Sequence, residues 1–130
     1  MKLSDYVAQK SVEHGVKHVF MVTGGGAMHL NHSLGTHKDL ECIFNHHEQA
    51  CAIGAEAYYR QSNRLPIVNV TSGPGGTNTI TGVYGAWVDS IAMLVISGQV
   101  KWETTVRSTG LALRQYGDQE LDIEELVQPV

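Results

Sequence analysis

Glu48 stands between an apolar run, Leu40 to Phe44, and an alanine-rich stretch, Glu48 to Gln61, that reads as a helix. An acid in the first turn of a helix complements the helix dipole, which is worth about 0.3–1 kcal/mol and needs no catalytic role. The stretch behind it points further. Ala50, Ile53, Gly54 and Ala57 recur at helical spacing on one face. Small residues there let another backbone approach closely, and so suit an interface. A glutamate carried on such a helix and screened from bulk water can exchange a proton with a ring nitrogen.

Two glycine turns could approach a ligand. Thr23-Gly24-Gly25-Gly26 follows the apolar run Lys17 to Val22, and Thr71 to Asn78 (TSGPGGTN) follows Pro66 to Thr71. The second offers glycines and hydroxyls at the start of a helix, where a phosphate could sit. It lacks the Gly-Lys-Ser/Thr ending of a Walker loop and holds no lysine. The first does not match the dinucleotide fingerprint. Tight strand-to-helix turns explain both loops equally well on pattern alone. Ser72 lies in no Gly-x-Ser-x-Gly elbow, so nucleophilic catalysis has no support.

His29 and His32 are spaced i, i+3, and His46-His47-Glu48 form a local cluster. No His-Glu-x-x-His and no paired Cys-x-x-Cys accompanies them, so no metal site is expected on this chain. Cys42 and Cys51 sit in apolar surroundings and read as buried free thiols.

The elements that position these groups alternate. A helix runs from a Ser4-Asp5 cap to about His14, with Gly15 as its stop. Lys17 to Val22, Leu40 to Phe44, Pro66 to Thr71 and Ile91 to Ser97 read as strands. Ala27 to Leu34, Glu48 to Gln61 and Thr77 to Trp87 read as the helices between them. Gly98 to Gly117 reads mostly as loop, and Asp122 to Val127 as a last short helix. The strands are continuous apolar runs, which suits a sheet covered on both faces. The expected fold is therefore α/β: a doubly wound, mainly parallel sheet flanked by helices. Ligands in such folds bind beyond the carboxyl ends of the strands. Both glycine turns and the Asn45-to-Glu48 segment fall there.

The chain's 130 residues suit one domain with its own core. A formal net charge of -4, with no basic run, argues against nucleic acid as a partner. The first residues lack the pattern of a secretory signal, and no apolar run approaches the ~18 residues of a membrane span. A cytoplasmic protein is expected.

Taken together, the motifs resemble the thiamine-diphosphate-dependent enzymes of the acetolactate synthase type. Val19 to Leu34 resembles their first glycine turn, His47 to Arg60 the segment with their glutamate, and Thr71 to Asn78 their second loop. Asp89 to Val100 and Arg114 to Val127 continue the likeness. The resemblance implies that residues 1–130 form the N-terminal, pyrimidine-binding domain, with thiamine diphosphate as cofactor. It implies that Glu48 bonds to the aminopyrimidine and activates it. It places Gly24 and Gly25 near the thiazolium, Pro74 and Asn78 along the pyrimidine pocket, and Gln119 and His29 at the active-site mouth. The implied reaction is decarboxylation of a 2-oxo acid followed by addition to a second carbonyl compound. Thr23 stands where proline is usual, and His29 also departs from the commonest synthase pattern.

The family holds Mg2+ and diphosphate through Gly-Asp-Gly followed further on by Asn-Asn, in a separate domain. Gly117-Asp118-Gln119 is not that motif. The chain is thus expected to lack the middle and diphosphate-binding domains, to be inactive alone, and to work against a diphosphate-binding domain of another subunit, within a homodimer. Two other readings remain: the natural subunit of a split 2-oxo acid decarboxylase, and a non-catalytic nucleotide-binding or regulatory module.

Overall fold

The computed structural model describes every residue from Met1 to Val130. Four strands form one sheet: β1 (His18–Met21), β2 (Glu41–Phe44), β3 (Ile67–Val70) and β4 (Leu94–Ser97). Their order is β2-β1-β3-β4, and every pair is parallel. The helices are α1 (Leu3–Glu13), α2 (Met28–Gly35), α3 (Glu48–Ser62), α4 (Pro74–Val88), α5 (Val106–Thr109) and α6 (Ile123–Leu126). Short 3-10 turns precede α2 and α5.

Alternate residues of the strands feed two cores. Val19, Met21 and Ile67 pack with Ala8 of α1 and Leu34 of α2. Phe20, Val68 and Val70 pack on the opposite face with Cys51 and Ala55 of α3. Both faces are thus covered, which is why β3 reads as an apolar run interrupted only by Asn69, with no alternation. Ile67, Val68 and Val70 expose no surface, and burying each contributes about 1.5–3 kcal/mol. This is the doubly wound parallel arrangement that the sequence implied. No helix is long and apolar enough to cross a membrane.

Four sequence-based expectations shift. α1 starts at Leu3, with Lys2 as its N-cap, so Ser4 and Asp5 lie inside the first turn. Asp5 accepts from the Lys2 backbone N–H at 3.4 Å, and the Ser33 hydroxyl of α2 donates to Asp5 (2.7 Å) and pairs with the Ser4 hydroxyl at 2.8 Å. Asp5 thus still caps α1, from the third helical position, and with Ser4 it also joins α1 to α2. α4 begins at Pro74, inside the second glycine loop, because proline at the first helical position gives up only an N–H that has no helical partner. β4 is an edge strand with Leu94 exposed, shorter than the apolar run that contains it. α3 runs on to Ser62 and ends at Asn63, whose left-handed φ of 53° makes it the cap.

The small-residue face of α3 also divides. Gly54 faces Phe20 of the sheet, where an added Cβ would come within 3.2 Å of the ring. Ala50, Ile53 and Ala57 are exposed. The close helix contact is made instead by Ala52, against Gly82 of α4. A Cβ on Gly82 would lie 2.6 Å from the Ala52 Cβ. Periodicity groups residues by face but does not say which neighbour each one meets.

Candidate functional site

The acid is set by its helix start. His47 is the N-cap of α3, in extended conformation, and its Nδ1 accepts from the Gln49 N–H at 3.1 Å. The cap frees the next side chain, Glu48, from that duty. Glu48 is half-buried, and its Oε2 accepts from Asn78 Nδ2 at 2.9 Å. The segment before it is tied to the sheet, since the Asn45 N–H donates to the Met21 carbonyl at 3.1 Å. Glu48 therefore sits beside the carboxyl end of β1, and Asn78 links it to the helix that follows the second loop.

The two glycine turns pack on one another. Gly24 leaves room for Thr71, whose Cβ would lie 2.5 Å from a Cβ on the glycine. The Gly26 N–H donates to Thr71 Oγ1 at 3.0 Å. The backbone of Gly26 in turn fills the space that a side chain at Gly98 would need. Gly25 is exposed, with open space where its Cβ would point. Of the glycines singled out in the first turn, Gly24 sets the packing and Gly25 faces outward.

In the second loop, Gly73 has φ +52°, and the Gln119 carbonyl occupies the place of its missing Cβ. Only glycine satisfies both demands. Gln119 has a left-handed φ of 53° itself, and its side chain is exposed. Its backbone thus brings the C-terminal segment onto the second loop. Pro74 and Asn78 are exposed on the first two turns of α4, and His29 is exposed on α2.

The phosphate reading of the second loop loses support. The N–H groups of Gly75 and Thr77 already donate to the loop's own carbonyls, Ser72 O at 3.1 Å and Gly73 O at 3.0 Å. No three His, Cys, Asp or Glu side chains gather where they could hold a metal ion. Of the histidines, His47 is taken by its cap, while His29, His32 and His46 are exposed.

Cys51 lies one turn after Glu48 and is fully buried. Burial pushes its thiol up to about 11, the Glu48 charge adds to this, and a hydrogen bond with Asn45 opposes it. Burial also raises the Cys42 thiol. Both cysteines are free.

A family model described as thiamine pyrophosphate enzyme, N-terminal TPP binding domain, matches residues 1–126. The chain belongs to this family. Relatives include the acetolactate synthase large subunit of Buchnera aphidicola subsp. Acyrthosiphon pisum (strain APS), 41% identical over 97 residues. The large subunit of Haemophilus influenzae is 40% identical, and that of acetolactate synthase isozyme 3 of Escherichia coli (strain K12) is 38% identical, each again over 97 residues. Each alignment takes in 75% of this chain and 17% of the relative. The chain thus spans only a small part of the length of the relatives that it matches.

In this thiamine pyrophosphate-binding domain a cavity of about 800 Å³ lies away from Glu48. It lies between α4, β4 and the C-terminal segment, among Ile80, Val83, Trp87, Val95 and Ile123. Its apolar residues are joined at the C-terminal side by Arg107, Glu120, Asp122 and Glu124. Sequence reasoning missed the part that three features play in the candidate site. Thr71 braces the first turn, Gly82 sets the α3–α4 spacing, and the Asn31–Asn69 pair lies behind Gly24. Thr71 was legible as the start of the second loop and Asn69 as a polar residue inside the apolar run Pro66 to Thr71, whereas Gly82 left no trace.

Proposed function

We propose that this chain is the pyrimidine-binding domain of an acetolactate synthase-like carboligase, and that Glu48 is its cofactor-activating acid. One observation carries the reading: a half-buried carboxylate at a helix start, tethered by Asn78, beside two interlocked glycine turns at the carboxyl ends of the strands.

The residues fit the ring end of thiamine diphosphate. Glu48 Oε2 is engaged by Asn78, which leaves Oε1 for a ring nitrogen. Gly25 offers a bare backbone surface, Asn78 of α4 holds the acid, and Pro74 is exposed one turn earlier on the same helix. The cofactor supplies the carbon acid that reacts with a 2-oxo acid such as pyruvate. Glu48 holds the proton shared with the aminopyrimidine, and Asn78 keeps that carboxyl group aimed. Gln119 and His29 are assigned to the mouth of the site.

The diphosphate end does not fit this chain. The second loop carries no lysine or arginine, and its Gly75 and Thr77 N–H groups are bonded internally. Mg2+ and diphosphate are therefore assigned to a diphosphate-binding domain of another subunit or chain. Residues 1–130 act as one domain of the assembly and are inactive alone. A homodimer is the assembly proposed, supported by the exposed apolar side chains of Ile53 on α3 and of Tyr84 and Val88 on α4. The two free thiols suit the reducing cytoplasm.

The test is reconstitution. The chain is mixed with a diphosphate-binding domain from an acetolactate synthase, Mg2+ and thiamine diphosphate, and carbon dioxide release from pyruvate and other 2-oxo acids is followed. Release from the mixture, with none from either part alone, is expected. A mixture that binds the cofactor tightly yet decarboxylates no 2-oxo acid points to the non-catalytic module instead.

A further inference from the structure

Asn69 sits in β3, at the centre of the sheet, and exposes no surface. Its strand neighbours are Met21 on β1 and Ile96 on β4. By strand alternation it shares a face with Ile67, which packs with Met21 and Leu34. An amide buried among such residues is unfavourable unless both of its ends are paired. Here only one is. Nδ2 donates to Asn31 Oδ1 at 2.7 Å, while the Asn69 Oδ1 is buried with no partner.

Asn31, half-buried on α2, carries the interaction onward. Its Nδ2 donates to the Gly24 carbonyl at 3.2 Å, and that carbonyl also accepts the Ala27 N–H at 3.1 Å. A chain of two amides thus runs from the central strand to the first glycine of the turn. On the other side, Thr71 Oγ1 holds the Gly26 N–H. An apolar side chain at position 69 would fill the same space without leaving an unpaired acceptor. What the amide adds is the link to Gly24.

We propose that Asn69 and Asn31 are positioning residues for the first glycine turn. They fix the Gly24 carbonyl and thereby the place of the turn against Thr71. The proposal rests on the reading of this turn as a wall of the ring-binding site. The two amides touch no ligand themselves, and they act through the backbone of Gly24 to Ala27.

The test is site-resolved amide exchange on the chain, with Asn69→Leu and Asn31→Ala compared to wild type. In both variants the Gly26 and Ala27 amides should exchange about five- to tenfold faster, the scale of one lost hydrogen bond. Strand amides such as those of Phe20 and Val68 should keep their protection. Asn69→Leu should hold or raise the thermal midpoint, since it removes the unpaired acceptor. A merely structural pair predicts the reverse: a lower midpoint and faster exchange throughout the sheet. Asn31→Ala lies on a partly exposed helix position, so it reads out the turn even where Asn69→Leu fails to fold. In the reconstituted enzyme, either variant should lower kcat/KM about tenfold with little change in cofactor affinity. Unchanged exchange at Gly26 and Ala27 overturns the proposal whatever the activity. Accelerated exchange in the variants, together with an inactive reconstituted wild type, leaves the positioning role standing and removes the enzymatic reading instead.

Discussion

Asn78 donates its side-chain amide to Glu48 Oε2 at 2.9 Å, and the two residues stand in the opening turns of different helices. One turn further along each helix, Gly82 meets Ala52, where a Cβ on the glycine would lie 2.6 Å from the alanine methyl and 3.2 Å from the Ile53 nitrogen. The separation of acid and amide is therefore governed by a backbone contact as well as by two flexible side chains. α3 and α4 act as one mount.

Gly82→Ala should test that mount. The added methyl has no free volume, so α3 and α4 must separate. Overpacking of this kind typically costs about 1–3 kcal/mol. Denaturant unfolding should show a loss in that range. The double variant Ala52→Gly/Gly82→Ala should be more stable than the sum of the single changes implies, since removing one methyl makes room for the other. Additivity to within about 0.5 kcal/mol would mean that the contact does not set the helix spacing.

Asn78→Ala should leave the fold intact, because Asn78 is exposed, and should release the Glu48 carboxyl group. Loss of a hydrogen bond to a charged group is worth about 1.5–3 kcal/mol, or roughly 10- to 150-fold if all of it is expressed in turnover. Partial exposure of the pair lowers this, so a fall of about tenfold in kcat of the reconstituted enzyme is expected. Wild-type turnover in Asn78→Ala would remove Asn78 from the mechanism.

How much of this was legible in the sequence depends on what each residue meets. β1 and β3 were readable because strands covered on both faces are apolar throughout, as in Ile67 to Val70 with its single asparagine. α3 was readable from its alanines and from the acid at its start. α4 was placed late because Ser72-Gly73-Pro74-Gly75-Gly76 has the composition of a loop. The helix starts at Pro74 only because Gly73 adopts a positive φ against the carbonyl of Gln119, far along the chain. The same limit applies to the site. Resemblance named both Glu48 and Asn78, but no spacing rule joins two side chains on separate helices. Likewise, the apolar run Ile91 to Ser97 does not reveal that β4 lies at an edge, since a buried strand and a partly exposed one share that composition.

Cys51 gives a pH-dependent prediction. Its thiol lies at about 11 in the folded chain against an ordinary value of 9.0, chiefly because it is buried. The folded state therefore holds this proton more tightly than the unfolded state does. The resulting stability is fully present below about pH 9 and is lost as pH rises toward 11. Other groups titrate in the same range, so the comparison is with Cys51→Ala. Thermal midpoints measured across that window should fall more steeply in wild type than in the variant. Parallel curves would show that Cys51 does not change its proton affinity on folding. Native Cys51 should also resist alkylation near neutral pH, where a buried neutral thiol is a poor nucleophile.

Glu48→Gln addresses the chemistry most directly. Glutamine keeps the size of glutamate and can still hydrogen-bond to Asn78, so α3 and its packing on α4 should survive. What it cannot do is share an exchangeable proton with a ring nitrogen in the sense that a carboxyl group can. General acid–base contributions are typically about 10²–10⁴-fold in rate, and a loss in that range is expected for the reconstituted enzyme. A helix-end charge makes a different demand: a stability change of at most about 1 kcal/mol and little effect on rate. Two measurements separate these outcomes. Thermal unfolding of the chain reports the dipole contribution, and hydrogen–deuterium exchange at thiazolium C2 of the bound cofactor reports activation before any substrate is added. Slow C2 exchange with a near-normal unfolding midpoint assigns the proton role to Glu48. Exchange at the wild-type rate, with cofactor shown to be bound, would reduce Glu48 to a helix-end charge and would take the activating role away from this chain.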